Sequence, residues 1–371
     1  MIVGVPKETK SEEYRVSLTP DKVDLLVKNG HRVLVESHAG EGAGFLDRDF
    51  EAVGAVVEKK AATVFDASDM IVKVKEPQPL EYGLFHEDQV LFTYLHLAPQ
   101  PELTQALLDS RVAAIAYETV QNDDGGLPLL YPMSEIAGKL APFVAARLLQ
   151  NIAGGPGKLL GRVPGAKPSN MVIVGGGTVG FNASLVAQSV GADVTIVDVN
   201  LERLRYISLI THGAIDTVVS TPANVADLLS TADVVIGAVL VPGASAPKVV
   251  TRDMIGVMRE GALIIDVAID QGGSVEDIRP TSHKKPTYVE GGVTRYAVPN
   301  MPGIVGNTSS VSLSNATYPY VLDLANRGME ACFRKDGPLS RGVNTYRGHV
   351  THEAVARALG LDYVPLKEVA A

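Results

Sequence analysis

The sequence predicts an α/β protein of two Rossmann-like, doubly wound domains, each built on a parallel sheet, with a cleft between them. Three observations predict it. Short β-branched runs alternate with helix-like segments from the first residues onward; a stretch rich in glycine and proline interrupts them near residue 155; and a second alternating series starts at Met171 with a glycine-rich turn. A parallel sheet requires this alternation, because each strand must be reached by a crossover that returns along a face of the sheet.

The first series runs "IVGV", "TPDKVDLLVKNG", "HRVLVES", "DFEAVGA", "VVEK", "DMIVKVKEP", "QVLFTYL", "PELTQALLDS" and "VAAIAYE". Its first helix is punctuated by residue type: Thr19 suits the N-cap, Pro20 the first helical position, and Asn29 with Gly30 the stop. From residue 128 the style changes. Ile136, Leu140, Phe143, Val144 and Leu148 recur at the spacing of one helix face, with Ser134 as its expected cap and Pro142 as an expected bend. "NIAGGPGKLLGRVPGAKPSN" reads as a loop or hairpin, and the second series follows as "MVIVGGG", "VTIVDVN", "DTVVS", "DVVIGAVL" and "ALIIDVAID". After "YAVPNMPG" comes a helical pattern, "NATYPYVLDLANRGMEACF", and a tail without a strand series of its own, which must pack on something already formed. The economical topology is discontinuous: residues 1–127 plus 306–371 form a substrate and catalytic domain, and residues 128–305 a nucleotide domain.

Composition narrows the function classes. A chain of 371 residues with 46% hydrophobic and 20% charged residues can bury a large core. The formal net charge of -9 leaves no basic block to neutralise phosphates, which argues against nucleic acid or an anionic membrane as partner and for a small molecule. Cys332 is the only cysteine, so neither a disulfide framework nor a zinc site of paired cysteines is available, as expected in a reducing cytoplasm. No stretch approaches the roughly 18 apolar residues of a membrane span, and "MIVGVPKETK" has no secretory leader pattern.

The strongest motif is "MVIVGGGTVG", which places Gly175, Gly177 and Gly180 in a GxGxxG turn directly after an apolar strand and before a helix. Such glycines permit a tight turn, close backbone approach to a pyrophosphate and close helix packing, while the helix N-terminus favours the anion. Asp198 ends the next strand, where its carboxylate can accept hydrogen bonds from both adenosine ribose hydroxyls and repel a ribose phosphate; this favours NAD over NADP, with Arg203 softening the preference. "IGAVLVPG" and "DVAIDQGG" end apolar strands in small residues, as suits strand ends that face a cofactor.

In the first domain three apolar runs each finish on one titratable side chain: Lys75, His96 and Glu118. The carboxyl ends of parallel strands form the ligand crevice, so the three are candidates for one site. Singly, each has a structural alternative: a solvated charge for Lys75, a core residue for His96, and a helix cap or salt bridge for Glu118. Arg15 reads either as a surface residue paired with Glu12 or Glu13, or as a planar clamp for a substrate carboxylate, with Lys75 polarising a neighbouring carbonyl oxygen. Asp270 would approach from the second domain.

With these motifs in place, the chain resembles the alanine dehydrogenase and pyridine nucleotide transhydrogenase family nearly end to end, through "GVPKE", "YRVSLTP", "VKVKEP", "LFTYLHLA", "IAYETV", "PMSEIAG", "IGAVLVPGA", "DVAIDQGG" and "NMPG". The resemblance implies reversible oxidative deamination of L-alanine to pyruvate and ammonia with NAD, by a cytoplasmic homohexamer. It gives Arg15 and Lys75 to the substrate and His96 and Asp270 to catalysis, with His96 moving protons and Asp270 orienting water or stabilising intermediates. To NAD it gives Ser134, the turn Gly177, Thr178 and Val179, Asp198, Arg203, Ser220, Val239, Leu240, Val267, Ala268, Ile269, Asp270, Arg279, Val298, Pro299, Asn300 and Met301.

This chain departs from the family at Gly306 and Asn307, where proline and arginine are usual, at Ser274 in place of a cysteine, and at Arg295 and Ala297 where histidine and glycine are common; these departures are expected beside the nicotinamide end. A magnesium pair described for some members falls on Asp323 and Arg327, and arginine is not a ligand, so no metal is expected there. Two rival readings are open to the sequence: a transhydrogenase-like subunit that carries hydride between nucleotides, and a non-catalytic NAD-binding module.

Overall fold

The computed structural model of the chain describes residues 1–239, 246–334 and 336–370. Two compact units emerge, Met1–Pro132 with Gly303–Ala371, and Met133–Pro302. The first boundary falls later than residue 127 because the helix Tyr131–Leu148 begins with its first two residues in the first unit; the second falls before residue 305, within the 3-10 turn Met301–Val305.

In the first unit six strands come in chain order: β1 (Ile2–Val5), β2 (Arg32–Glu36), β3 (Val56–Glu58), β4 (Met70–Val72), β5 (Val90–Thr93) and β6 (Ala113–Ala116). The second unit contributes β7 (Asn170–Val174), β8 (Asp193–Asp198), β9 (Asp216–Val219), β10 (Val234–Gly237), β11 (Leu263–Asp266), β12 (Thr287–Glu290) and β13 (Val293–Tyr296). The returning segment adds β14 (Val343–Tyr346) and β15 (His349–Val350), so the tail does carry strands. They escape the sequence pattern because they are short and polar, "VNTY" and "HV".

The first sheet has the order β15-β14-β6-β5-β4-β1-β2-β3 and the second β12-β13-β11-β10-β7-β8-β9. Both are parallel apart from one edge: β14 and β15 join the first sheet antiparallel, and β12 joins the second antiparallel to β13. The central strands β4, β5, β6, β10 and β11 are buried at every position, which is why they read as unbroken apolar runs rather than alternating ones.

Local signals acted mostly as written. Helix Pro20–Lys28 starts with Thr19 at the N-cap position and stops at Asn29, with Gly30 left-handed at φ 85°. Thr19 does not cap through its side chain, however; its hydroxyl donates to Asp21 (2.5 Å), and its backbone N–H donates to Ser314 Oγ. Ser134 is not a cap either, since helix Tyr131–Leu148 begins three residues earlier and runs through Pro142. The long helix Gly306–Arg327 turns a face of Gly306, Ser309, Ser310, Ser314 and Thr317 inward, and Ser310 and Ser314 receive the backbone N–H groups of Val16 and Thr19. Gly306, the first departure from the family, is required by this packing, because a Cβ there would stand 2.6 Å from the carbonyl oxygen of Tyr14. Its neighbour Asn307 donates to the Ala43 carbonyl at 2.6 Å. Among the described residues no helix is long and apolar enough to cross a membrane.

Candidate functional site

In the first unit β1, β4, β5 and β6 are adjacent and parallel, with Val72 paired to Phe92 and Thr93 to Ala116. The loops leaving their carboxyl ends therefore start side by side, and they carry Glu8, Lys75, His96 and Glu118. None of the last three is the terminal strand residue. β4 ends at Val72, β5 at Thr93 and β6 at Ala116, so His96 sits three residues past its strand, and Glu118 lies in the 3-10 turn Tyr117–Thr119.

The lysine inside the apolar run is the more deeply buried of the pair. Lys73 has no exposed surface and lies between Glu81 (2.8 Å) and Glu8 (3.3 Å), whose charges hold its ammonium above its usual range although burial opposes this. Burial pushes the Glu8 carboxyl up, with Lys73 pulling it down. Glu8 in turn accepts the backbone N–H of Val74 (2.6 Å) and of Lys75 (3.4 Å), which ties the Lys75 segment to the end of β1. Lys75 itself is 6% exposed. Beside it Glu76 stays below the usual carboxylate range despite burial, because Lys75 and Lys10 face it. Lys73, Glu8 and Glu81 were missed by sequence reasoning; a lysine inside the apolar run "MIVKV" was the available signal, since a buried ammonium needs carboxylate partners.

Arg15 is not a surface residue. It is 2% exposed and its Nε donates to Glu13 at 2.6 Å, with a second nitrogen at 2.5 Å. Burial lowers the guanidinium pKa, but the charge and hydrogen bond of Glu13, with Tyr94 and Glu8, together outweigh it and the net direction is up. Tyr94 is buried, stacks parallel to His96 with ring centroids 6.0 Å apart, and donates its hydroxyl to the Leu129 carbonyl (2.5 Å). His96 adopts the left-handed conformation at φ 48°. Its backbone N–H donates to Glu118 Oε1 at 2.6 Å, and its Nδ1 lies 3.8 Å from the same oxygen.

In the second unit the strand β7, the glycine turn and the helix Thr178–Ser189 follow one another as the motif requires. Gly175 has φ 104°, and a Cβ on Gly180 would stand 1.8 Å from the Gly175 carbonyl oxygen, so strand and helix meet with no room for a side chain. Gly177 is the helix N-cap without a side-chain cap bond, and nothing lies within 4 Å of where its Cβ would be. An open face at an uncapped helix N-terminus fits the pyrophosphate of a dinucleotide. Asp198 Oδ2 accepts the Gly176 N–H (2.7 Å) and Oδ1 the Asn200 N–H (2.8 Å), leaving each oxygen a further lone pair for a ribose hydroxyl. Arg203 donates Nε to the Gly176 carbonyl (2.5 Å) and spreads over the rings of Phe181 and Tyr206 at 5.1 and 5.0 Å. Ser220 donates its N–H to the Asp198 carbonyl (2.9 Å).

Val239 follows β10, and its backbone nitrogen lies 3.1 Å from where a Gly175 Cβ would be; Leu240 falls outside the described residues. Val267, Ala268, Ile269 and Asp270 form the 3-10 turn Val267–Gln271 after β11. That turn is built on Asp266, a fully buried carboxylate that accepts the N–H groups of Ala268 (3.0 Å), Ser274 (2.8 Å) and Val275 (3.1 Å). Burial nevertheless pushes its pKa up to about 6. Lys248 closes the same loop by donating to the carbonyls of Gly272, Gly273 and Val275 at 2.5, 2.9 and 3.0 Å. Asp270 is exposed and accepts the N–H of Asn300 at 3.3 Å, so the turn Val267–Asp270 and the run Val298, Pro299, Asn300, Met301 are linked. Arg279 stacks on Tyr288 with its guanidinium 4.3 Å from the ring, and Arg295 is buried with an ion pair to Glu290 at 3.3 Å. Ser134 is half-buried in the first turn of its helix. At the pair where some members carry magnesium, Arg327 donates to Asp323 at 2.9 and 3.1 Å.

The fold and these sites define an α/β protein with a glycine-rich turn of dinucleotide-binding type in one unit and, in the other, buried lysines and a half-buried histidine in the loops that leave parallel strand ends. The chain belongs to the alanine dehydrogenase/PNT family: the model of that family's N-terminal domain matches residues 4–137 and that of its C-terminal domain residues 141–353. It is 50% identical over 369 residues to "Alanine dehydrogenase 2" of Staphylococcus aureus (strain USA300), covering 99% of each chain. Among solved structures it is similar to an L-alanine dehydrogenase with a TM-score of 0.93 and 48% identity, covering 97% of this chain and 99% of that one. A transhydrogenase from Sinorhizobium meliloti shares the fold with a TM-score of 0.80 at 23% identity, covering 95% and 100% of the two chains.

Proposed function

We propose that the chain is an L-alanine dehydrogenase, which with NAD interconverts L-alanine with pyruvate and ammonia. The observation that supports it most is the burial of Arg15 and Lys75 in the unit that also carries His96 past a parallel strand end. Glu13 and Glu76 offset the two charges within the chain and hold the cations in place, and a 2-oxo or 2-amino acid offers a carboxylate and a polar oxygen that suit them.

Arg15 binds the substrate carboxylate with its planar fork, and Lys75 donates to the carbonyl or hydroxyl oxygen. His96 takes and returns the proton as general base and acid, a task suited to imidazole near neutral pH. Asp270, exposed on its turn, orients the water or ammonia that adds to the substrate. NAD, when bound, supplies the hydride acceptor. The chain holds it through the uncapped N-terminus at Gly177, Thr178 and Val179, through Asp198 on the ribose, and through the remaining residues of the turn, strand ends and loops that carry Ser134, Arg203, Ser220, Val239, Leu240, Val267 to Asp270, Arg279 and Val298 to Met301. The transhydrogenase reading has no use for a buried carboxylate clamp, and the relatives at half identity favour the amino-acid dehydrogenase. A cytoplasmic homohexamer belongs to the same proposal; light scattering of the purified protein checks the hexamer, and cell fractionation the location.

The test is NADH consumption at 340 nm with pyruvate and ammonium, repeated with glyoxylate, 2-oxobutyrate and NADPH. Turnover requiring both pyruvate and ammonium is expected; NADH binding without turnover, or hydride exchange between nucleotides alone, would overturn the reading. His96→Ala should cut turnover by orders of magnitude with NADH binding unchanged, and retained turnover would remove His96 from the mechanism.

A further inference from the structure

Glu118 occupies a place that its local sequence does not account for. It caps no helix, lying within the turn Tyr117–Thr119. Among the described residues no lysine or arginine nitrogen lies within ion-pair distance of its carboxylate; the one basic nitrogen within 4.0 Å is His96 Nδ1, at 3.8 Å. Its main work is on the backbone of β5's exit loop. The carboxylate receives the N–H of Leu95 at 3.3 Å and that of His96 at 2.6 Å, two successive donors converging on one anion. His96 is left-handed at φ 48°, a conformation unfavourable for a residue with a Cβ, and it persists where the surroundings over-determine it. Glu118 supplies that determination at the backbone and the parallel Tyr94 ring at the side chain.

We propose that Glu118 is the positioning residue for His96. Its carboxylate pins the left-handed turn and faces Nδ1, so that Nδ1 keeps its proton toward the carboxylate and Nε2 is the nitrogen that exchanges protons with substrate. This rests on the reading of His96 as the proton carrier. A second histidine, His352 from the returning segment, also feels the Glu118 charge; burial lowers its pKa, and its Nδ1 is buried with no hydrogen-bond partner, so it does not take His96's place on the carboxylate.

A double-mutant cycle on the full-length protein tests the proposal. Glu118→Gln keeps the shape and one acceptor oxygen for the backbone donors while removing the charge. Its kcat for reductive amination of pyruvate should fall at least tenfold, with KM for pyruvate and the Kd of NADH within twofold of the parent. In the His96→Ala background the same substitution should cost nothing further, because a residue acting through His96 has nothing left to act through. An unchanged kcat, an equal loss in both backgrounds, or kcat, KM and thermal stability falling together would each overturn it. If the His96→Ala rate is too low to divide further, Glu118→Asp decides: a kcat between parent and Glu118→Gln with unchanged KM supports positioning by charge, and a kcat no better than Glu118→Gln overturns it. His96→Ala alone reports on the underlying reading, so the two failures are distinguishable.

Discussion

The Gly180 Cα and the Gly175 carbonyl oxygen leave no space between helix and strand, since an added Cβ would sit 1.8 Å from that oxygen, whereas two residues into the same turn Gly177 faces open space. One motif thus contains a packing glycine and a ligand-facing glycine. Gly180→Ala should unfold or strongly destabilise the second unit, seen as a lower thermal midpoint without ligand. Gly177→Ala should leave that midpoint within a few degrees while raising KM for NADH at least tenfold. Equal effects of the two on ligand-free stability would contradict the division.

Lys73 is the positive centre of a buried triad with Glu8 and Glu81. Lys73→Met should cost about 3–5 kcal/mol of unfolding free energy by denaturant titration, because it strands two buried carboxylates. Adding Glu8→Gln should recover part of that loss, and a single substitution costing under about 1 kcal/mol would show that water already reaches the triad.

Asp266 gives a signed pH effect. Its folded pKa, about 6, is raised above the ordinary carboxylate value, so between those values the folded protein binds the proton more tightly than the unfolded chain. Stability from this group is therefore gained as pH falls through 6 and lost as it rises. Relative to Asp266→Asn, the parent should gain about 1 kcal/mol on going from pH 7 to pH 5, because the folded carboxyl takes up its proton within that window and the unfolded one does not. Thermal midpoints of both proteins across that range check it, and a difference that moves the other way would refute the assignment.

Cys332 is buried, and its burial together with neighbouring Asp323 pushes the thiol up to about 11. The thiolate is the reactive form, so the native protein should react with a disulfide reagent at pH 8 far more slowly than the same chain in denaturant. Comparable rates in both states would place the sulfur in solvent.

Much of this molecule was legible in its sequence. The two alternating series, the GxGxxG turn and Asp198 all follow from short-range rules: period, glycine placement and the turn chemistry that a strand, a loop and a helix need in succession. The antiparallel additions β14 and β15 were not legible, because "VNTY" and "HV" are short and largely polar, and only their pairing at the edge of the sheet makes them strands. Ser134 lost its expected capping role because the helix starts earlier, at Tyr131. Arg15 is the clearest case of tertiary decision. "EEYR" describes a surface loop, yet the segment is drawn inward where Ser310 and Ser314 of a helix nearly three hundred residues away bind the backbone of Val16 and Thr19. By itself the sequence determined which elements form and which residue types can carry the chemistry; it could not determine which charges are buried or what faces them, because burial and Coulomb partners such as Lys73 with Glu8 and Glu81, or Glu118 with His96, are set by contacts between strand ends far apart along the chain.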